Sequence, residues 1–457
     1  MPGRTSTEQT LDSVRTQSRP SDLKITDMRF VDITGAPMHC TLLKLYTNQG
    51  LVGFGEVRDA ADKLYALQLK SRILGENPCD VDKLFRRIKQ FGGQARQGGG
   101  VSGVEVALWD LAGKAFGVPV YQMLGGKFRD KVRMYCDTDA HDRTAKTMAE
   151  ALRKRLAMGF TFAKMDLGIG ILAGVPGALS APLGYLQELE KASADHYEGR
   201  SLSGEERRRR YSRWYDMMNV PHPFTGVHVT EKGLDLIEQF MADVRAAVGS
   251  ELPIALDHFG HICVEDCIKI ARRLERHNPA WLEDMIPWQY TDQYLRLTQS
   301  CAVPIATGED IYLKENFKPL LEHHAVSVIH PDILTAGGML ETKKVADMAD
   351  ECGVGFALHM AESPIGLMAA VHVAAASPNI MAVEFHSADC PWFEDLATGL
   401  PRPIIKNGFV DVPSTPGLGI EALNDEIIAA HIHPNIPGLW EPTDQWNDHW
   451  AHDRLWS

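Results

Sequence analysis

Eight short apolar segments alternate with amphipathic helical segments between residues 132 and 385 of this 457-residue chain. Strands that alternate with helices pair in parallel, and eight such units in about 250 residues close into a barrel. The predicted fold class is therefore α/β, with a (β/α)8-type barrel over residues 132–385. The predicted strands are 132–136, 162–166, 253–257, 281–283, 305–308, 326–329, 355–359 and 381–384.

The segments on either side of the barrel have a different pattern. A β-hairpin signal at residues 41–56 precedes residues 60–124, which are mostly helical in pattern. Strands followed by helices predict an α+β domain over residues 23–131, after a polar tail over residues 1–22. The irregular segment 386–457 is predicted to return to this first domain and to pack on it.

One connection in the predicted barrel is much longer than the others. The chain runs 91 residues from Asp166 to Asp257, whereas later strand-to-strand steps are 23 to 27 residues. About 60 residues, roughly 169–228, are therefore an insertion. A loop after a barrel strand opens on the mouth where barrel active sites lie, so the insertion is predicted to cover the mouth or to form a subunit contact.

The charge balance and the hydropathy pattern argue against several classes of protein. With 47 Lys and Arg against 60 Asp and Glu, the net charge of −13 disfavours a general binder of nucleic acid or anionic membranes. No apolar run approaches the ~20 residues of a membrane helix, and the N-terminus lacks the apolar core of a secretory signal. Of eight scattered cysteines only Cys263 and Cys267 are close, with no second pair to complete a zinc site, so free thiols in the cytoplasm are expected.

Polar residues stand at the C-terminal ends of the predicted strands. From Asp257 onward the consecutive gaps are 26, 26, 23, 27 and 25 residues, so one such residue falls at each strand end in turn. All strands of a parallel barrel point their C-termini at one mouth, and an ordered series there is typical of an active site. A single acidic residue at a strand end is usually a loop or helix-capping residue, so the inference rests on the series. Its members are Lys164, Asp257, Glu283, Glu309, Asp332, His359 and Glu384.

Three members of the series, Asp257, Glu283 and Glu309, are carboxylates on three consecutive strands. Carboxylates that face one another repel, and burying them unpaired is costly. A hard divalent cation offsets this repulsion, and an all-oxygen ligand set suits Mg²⁺. The alternative is a salt-bridge network with neighbouring lysines and arginines.

The motifs around these residues resemble the enolase superfamily, specifically its mandelate-racemase-like branch and the acid-sugar (aldonate) dehydratases. The resemblance covers residues 132–384, and residues 41–56 and 104–114 resemble the superfamily's capping domain. It implies an N-terminal α+β capping domain before the barrel, and a homo-oligomer. The motifs are Lys164-x-Asp166, Leu256-Asp257, Trp281-Leu-Glu283-Asp284, Gly308-Glu309-Asp310, His330-Pro-Asp332 followed by Gly337-Gly338, Leu358-His359 and Val383-Glu384.

The resemblance also implies a role for each member of the series. The three carboxylates become the Mg²⁺ ligands, and Asp332 and His359 become the general-base dyad. Lys164 stabilises the enediolate that forms when the proton α to a carboxylate is removed, and Glu384 donates a hydrogen bond near it. A histidine with an ordinary pKa near 6.5 suits base catalysis at neutral pH.

The chain departs from the superfamily's pattern at two positions. Asp166 stands where a Lys or Arg usually follows Lys164, so a base for the opposite face of the α-carbon is missing and a racemase is disfavoured. Several acid-sugar dehydratases carry a His where this chain has Phe259, and the nearby His258 and His261 do not match that position. The candidate substrate-binding residues are Asp166, His258, His261 and Glu362, although Glu362 serves equally well as a favourable charge at a helix N-terminus.

These features predict a hydro-lyase: a Mg²⁺-dependent sugar acid dehydratase that eliminates the β-hydroxyl and yields a 2-keto-3-deoxy acid. His359 is a candidate for returning the proton to the departing hydroxyl. Two alternatives stay open, an epimerase or cycloisomerase that uses the same enediolate, and a binding or regulatory member with little turnover. The sequence names neither the sugar acid nor the acid that protonates the leaving group.

Overall fold

The computed structural model describes residue 14 and residues 18–36, 38–140, 144–172, 174–182, 184–199, 202–220, 226–257, 259 and 262–450. The chain divides into two compact units. The first unit comprises Met1–Cys136, Gly308–Glu322 and Ile329–Ser457. The second comprises Asp137–Thr307 and His323–Val328.

The N-terminal part of the first unit is an antiparallel sheet covered by a helix. Its strands lie in the order β1 (Ile25–Thr34), β2 (His39–Thr47) and β3 (Val52–Val57), and β2 and β3 form the predicted hairpin. The helices that follow are α1 (Leu64–Leu67), α2 (Lys70–Ile73), α3 (Val81–Ile88), α4 (Gly99–Phe116) and α5 (Val120–Met123).

Helix α4 is buried along almost its whole length and packs closely on β3. A Cβ at Gly55 of β3 would lie 2.2 Å from the carbonyl oxygen of Gly103, so only glycine permits this approach. The helix ends at Gly117, whose φ of 71° is the left-handed conformation that glycine adopts without strain. This packing fixes the end of β3, where Arg58 follows.

The strands after this domain form the predicted (β/α)8-type barrel. Eight of them join a parallel sheet in the order β13-β12-β11-β10-β9-β8-β5-β4, and β13 also pairs with β4. The prediction of eight strands is confirmed, each within a few residues of its expected position. The eight barrel strands are β4 (Lys131–Thr138), β5 (Ala163–Asp166), β8 (Ile254–Asp257), β9 (Leu282–Glu283), β10 (Ile305–Thr307), β11 (Val328–Ile329), β12 (Gly355–Leu358) and β13 (Ile380–Phe385). Two further strands, β6 (Leu179–Ser180) and β7 (His228–Val229), form a separate pair.

Helices separate the barrel strands and bury apolar faces. The last barrel helix is buried throughout and begins as expected, because the Ser363 side chain accepts a hydrogen bond from the Ile365 N–H and Pro364 occupies the first helical position. The helices are α6 (Ala145–Ala157), α7 (Tyr185–Gly199), α8 (Gly204–Asn219), α9 (Glu231–Val248), α10 (Val264–Leu274), α11 (Thr291–Ser300), α12 (Lys314–Glu322), α13 (Ile333–Ala336), α14 (Met339–Glu351), α15 (Pro364–Ala375) and α16 (Asp425–Ala430).

The insertion contains β6, and its last residue, His228, begins β7, which pairs antiparallel with β6. The helices α7 and α8 lie between these strands in the chain and pack on each other. An aromatic cluster joins these two helices, where the His196 ring stacks on Trp214 with centroids 4.2 Å apart and lies 4.4 Å from Tyr211. This segment therefore has an apolar contact between its helices in addition to its charged surface.

The C-terminal segment contacts the N-terminal sheet within the first unit. The Thr443 hydroxyl donates to the Met28 carbonyl oxygen at 2.6 Å, and the buried Lys70 donates to Thr443 Oγ1 at 2.8 Å and to Asp27 at 2.6 Å. Two further strands, β14 (Ile405–Lys406) and β15 (Phe409–Asp411), form a hairpin whose second strand pairs antiparallel with β4. Across the residues described, every helix is too short or too polar to cross a membrane.

Candidate active site

In the second unit, Lys164 lies between two of the predicted carboxylates. It projects from β5, and its Nζ lies 2.9 Å from Asp257 Oδ2 on β8 and 3.0 Å from Glu283 Oε1 on β9. All three side chains are buried. The Trp281 indole N–H donates to Glu283 Oε2 at 2.7 Å, which fixes the second carboxylate oxygen. An ammonium group and two carboxylates therefore share one buried position at adjacent strand ends.

In the first unit, His359 and Asp332 form a buried pair. His359 Nδ1 lies 2.7 Å from Asp332 Oδ2, and Asp332 Oδ1 accepts the Leu334 N–H at 2.6 Å as the N-cap of α13. Because a carboxylate can only accept, Nδ1 donates this hydrogen bond. Nε2 points toward Glu309, whose Oε2 is 3.2 Å away.

A glycine positions Glu309 at the end of β10. Gly308 has φ of 147°, and a Cβ there would lie 3.0 Å from backbone atoms of His330. The chain can therefore turn at Gly308 close to the backbone of His330, and Glu309 follows directly after this turn. The Glu309 side chain is 19% exposed, which makes it more accessible than its fully buried neighbour Arg58.

Arg58, directly after β3, holds several acidic groups of the first unit together. Its guanidinium lies 2.5 Å from Asp59 Oδ1, 3.3 Å from Asp332 Oδ2 and 3.4 Å from Glu309 Oε1. Burial lowers the pKa of Arg58, but these carboxylates outweigh burial and raise the pKa well above its usual value. The sequence analysis missed Arg58, because two of these partners, Glu309 and Asp332, lie more than 250 positions along the chain.

Glu362 is a buried acid beside this arginine. Its Oε2 accepts the Ala361 N–H at 2.8 Å, and its Oε1 lies 3.7 Å from Arg58 Nε, beyond hydrogen-bond distance. Burial and the charge of Asp332 raise the pKa of Glu362 well above its ordinary value. Protonation is therefore favoured at Glu362 relative to an exposed glutamate, and a protonated carboxyl can donate a hydrogen bond.

Glu384 on β13 is surrounded by hydrogen-bond donors. Tyr135 donates to Glu384 Oε2 at 2.8 Å, and His386 Nε2 lies 3.0 Å from Oε1. The Tyr135 hydroxyl also contacts His330 Nε2. The rings of His386 and His359 are 5.6 Å apart. The sequence analysis missed His386, although it lies two positions after Glu384, directly after the end of β13, and its ring nitrogen contacts the Glu384 carboxylate.

The remaining candidates have less defined surroundings. Asp166 is half-buried at the end of β5, in register with Asp257. His258 and His261 lie outside the described residues. Side-chain groups with suitable donor atoms for a divalent metal are present, among them His359, Glu384 and His386, whose ligand atoms lie within 4.8 Å of one another.

Two family models match the chain. The model of the enolase C-terminal domain-like family matches residues 147–426. The model of the mandelate racemase / muconate lactonizing enzyme N-terminal domain matches residues 13–125. The chain belongs to the enolase superfamily. Within it, both matches place the protein in the mandelate racemase / muconate lactonizing enzyme branch.

Curated relatives of this enolase superfamily member include two dehydratases. The D-xylonate dehydratase of Haloferax volcanii is 32% identical over 432 residues, which cover 93% of this chain and 92% of the relative. The D-galactonate dehydratase of Ralstonia pickettii is 26% identical over 419 residues, which cover 89% of this chain and 94% of the relative.

Solved structures of the superfamily share the fold. A mandelate racemase/muconate lactonizing enzyme-like protein from Rubrobacter xylanophilus has a TM-score of 0.75 at 28% identity, covering 91% of this chain and 99% of that one. An enolase superfamily member from Salmonella Typhimurium has a TM-score of 0.70 at 27% identity, covering 88% of this chain and 97% of that one.

Proposed function

We propose that this protein is a sugar acid dehydratase, which removes the proton α to a substrate carboxylate and eliminates the β-hydroxyl to give a 2-keto-3-deoxy acid. The observation that carries the proposal is the buried His359–Asp332 pair, with Nδ1 held by the carboxylate at 2.7 Å. The names of the two curated dehydratases support the same reaction class.

His359 acts as the base in this proposal. Asp332 fixes the tautomer, orients the ring and stabilises the imidazolium that forms when Nε2 takes the α-proton. Arg58 holds Asp332 in place through its contact at 3.3 Å. His359 then returns the proton to the departing hydroxyl in a syn elimination. Glu362 forms a hydrogen bond with a substrate hydroxyl.

Three carboxylates, Asp257, Glu283 and Glu309, would hold Mg²⁺. Their donor atoms are all oxygens, which suits this ion, and enolase-superfamily enzymes pair a Lys or His base with Mg²⁺. Buried Asp257 and Glu283 already converge on the cation of Lys164, so the position favours positive charge. Bound Mg²⁺ supplies positive charge against the negative charge that develops on the substrate carboxylate. Lys164 adds its own charge there, and Glu384 presents a hydrogen bond to the same developing oxyanion.

A panel of sugar acids tests the proposed reaction. Each acid, D-xylonate and D-galactonate included, is incubated with the full-length protein and Mg²⁺, and 2-keto acid formation is followed by semicarbazide absorbance. We expect at least one acid to lose water and yield a 2-keto-3-deoxy product. Interconversion of epimers without loss of water would instead identify an epimerase, and binding without turnover would identify a regulatory member.

Asp166 leads to a prediction about stereochemistry. A carboxylate with an ordinary pKa near 3.9 is too weak a base to abstract an α-proton from the face opposite His359. Solvent deuterium should therefore enter substrate at one face only, and pure enantiomers should not racemise. Proton NMR in D₂O measures this, and the Asp166→Lys variant serves as the comparison. Equal exchange into both epimers by the native protein would contradict the one-base mechanism.

The helical part of the insertion leads to a second prediction. Tyr185–Gly199 and Gly204–Asn219 bury their aromatic contact against each other, so a Gly/Ser linker can replace them while β6 and β7 are kept. We predict that this replacement raises KM at least tenfold or changes the assembly, and leaves Mg²⁺ affinity intact. Steady-state kinetics, light scattering and calorimetry measure the three quantities. Native kinetics together with native mass would show that the helices have neither role.

A further inference from the structure

A second group of metal-ligating side chains lies in the second unit, at the junction of β7 and α10. His228 belongs to β7, Cys263 is the N-cap residue of α10, and Asp266 lies in the first turn of that helix. Their ligand atoms all lie within 4.8 Å of one another. Cys263 and Asp266 are buried, whereas the His228 side chain is 53% exposed, which leaves an approach from solvent.

The distances in this group match those around a tetrahedral ion. His228 Nδ1 lies 3.5 Å from Cys263 Sγ and 3.2 Å from Asp266 Oδ2. With zinc–sulfur near 2.3 Å and zinc–nitrogen or zinc–oxygen near 2.0–2.1 Å, tetrahedral angles give ligand separations of about 3.6 Å for sulfur to nitrogen and about 3.3 Å for nitrogen to oxygen. Two edges of a zinc site are therefore already formed.

The same side chains can also hydrogen-bond to one another without an ion. His228 Nδ1 lies within reach of both Cys263 Sγ and Asp266 Oδ2. The Cys263 thiol also interacts with the carboxylates of Asp266 and Glu265. A cation would replace these hydrogen bonds, since an imidazole nitrogen, a thiol sulfur and a carboxylate oxygen converge there at the separations of a metal site.

Hydrogen bonds from neighbouring groups already orient the Asp266 carboxylate for metal binding. Lys269 donates to Oδ1 at 2.9 Å and the Val229 N–H donates to Oδ2 at 2.9 Å, which leaves Oδ2 a further lone pair. Such outer contacts fix ligating carboxylates in metal sites. Cys267, one turn on, donates instead to the carbonyl oxygens of Ile262 and Met285 and takes no part.

We infer that His228, Cys263 and Asp266 bind a zinc-like transition-metal ion, separate from the Mg²⁺ site proposed above. Thiolate and imidazole select such an ion over Mg²⁺, which prefers oxygen ligands. Among the described residues the group supplies three ligands, so water takes the fourth position. Binding releases the Cys263 thiol proton to solvent and ties β7, at the end of the insertion, to the start of α10.

Cobalt binding tests this inference without reference to activity. The full-length protein is stripped with a chelator and titrated with Co²⁺ in excess Mg²⁺, which occupies the all-oxygen site. We expect one equivalent of Co²⁺ to give a thiolate-to-cobalt charge-transfer band, and Zn²⁺ to abolish it by displacement. The Cys263→Ser variant should lose the band, and Cys301→Ser, which removes a half-buried free thiol elsewhere, should keep it.

His228→Ala keeps the test decisive if the buried Cys263→Ser variant folds poorly, because His228 is exposed and its loss leaves the packing intact. Loss of an outer-shell partner costs 10- to 100-fold in metal affinity, so loss of this direct ligand should weaken Co²⁺ binding by at least about 100-fold. Absence of the band in the native protein, its survival in Cys263→Ser, or native Co²⁺ affinity in His228→Ala would each overturn the inference.

Discussion

The His359→Asn variant should lose α-proton exchange and dehydration together, each by about 10³–10⁴-fold. One proton removal precedes both processes, and an asparagine amide cannot accept that proton at neutral pH. General-base catalysis contributes 10²–10⁴-fold in typical enzymes, and a residue that is both base and returning acid falls in the upper part of that range. Deuterium incorporation from D₂O and 2-keto acid formation measure the two rates on the same sample.

The variant should keep its fold, because an asparagine N–H can still donate to Asp332 Oδ2, which His359 contacts at 2.7 Å. Asp332 also retains the Leu334 N–H and Arg58. His277→Asn, at a histidine outside the strand-end series, is the matched control and should retain native rates. If His359→Asn exchanged deuterium at the native rate, a different residue would have to be the base.

The barrel was predictable because its determinants are local. Each strand is a short apolar run, and the ends of seven of the eight strands are marked by a residue of the series, within a few positions of where the structure ends the strand. The Asp332–His359 pair was predicted from the resemblance to the superfamily, and the two side chains are in contact in the structure. Parallel strands bring their C-terminal ends to one edge, which explains why such residues meet. Lys164 likewise contacts Asp257 and Glu283, its neighbours in the strand-end series.

Other groups were not predictable, because their partners are distant in sequence. Arg58 follows a strand of the N-terminal sheet, and its local sequence is that of an ordinary strand end. Its role depends on Asp332 and Glu362, which lie far along the chain. The His228 group was hidden in the same way, because spacing along the chain drew attention to Cys263 with Cys267 and not to a histidine from another segment.

The Glu283→Gln and Glu309→Gln variants should each lose tight Mg²⁺ binding and, with it, activity. A neutral amide removes one negative charge from a set of three carboxylates, and the affinity should fall by at least about 100-fold, since even outer-shell changes cost 10- to 100-fold. Titration calorimetry with Mg²⁺ measures the affinity. Glu315→Gln, which alters an exposed glutamate on α12, is the control and should bind Mg²⁺ as the native protein does.

The two variants should differ in stability before metal is added, which separates a lost ligand from a damaged fold. Buried Lys164 contacts two carboxylates, Asp257 and Glu283, and Glu283→Gln removes the charge of one of them. The free energy of unfolding should therefore fall by about 1–3 kcal/mol. Glu309 is partly exposed, and Arg58 keeps Asp59 and Asp332, so Glu309→Gln should cost less than about 1 kcal/mol. Denaturant unfolding in chelator measures both values. Glu309→Gln should be nearly as stable as the native protein, so its Mg²⁺ affinity reports on the ligand alone. Native Mg²⁺ affinity in that variant would remove Glu309 from the ligand set. Native Mg²⁺ affinity in both variants would show that Mg²⁺ does not bind at these strand ends.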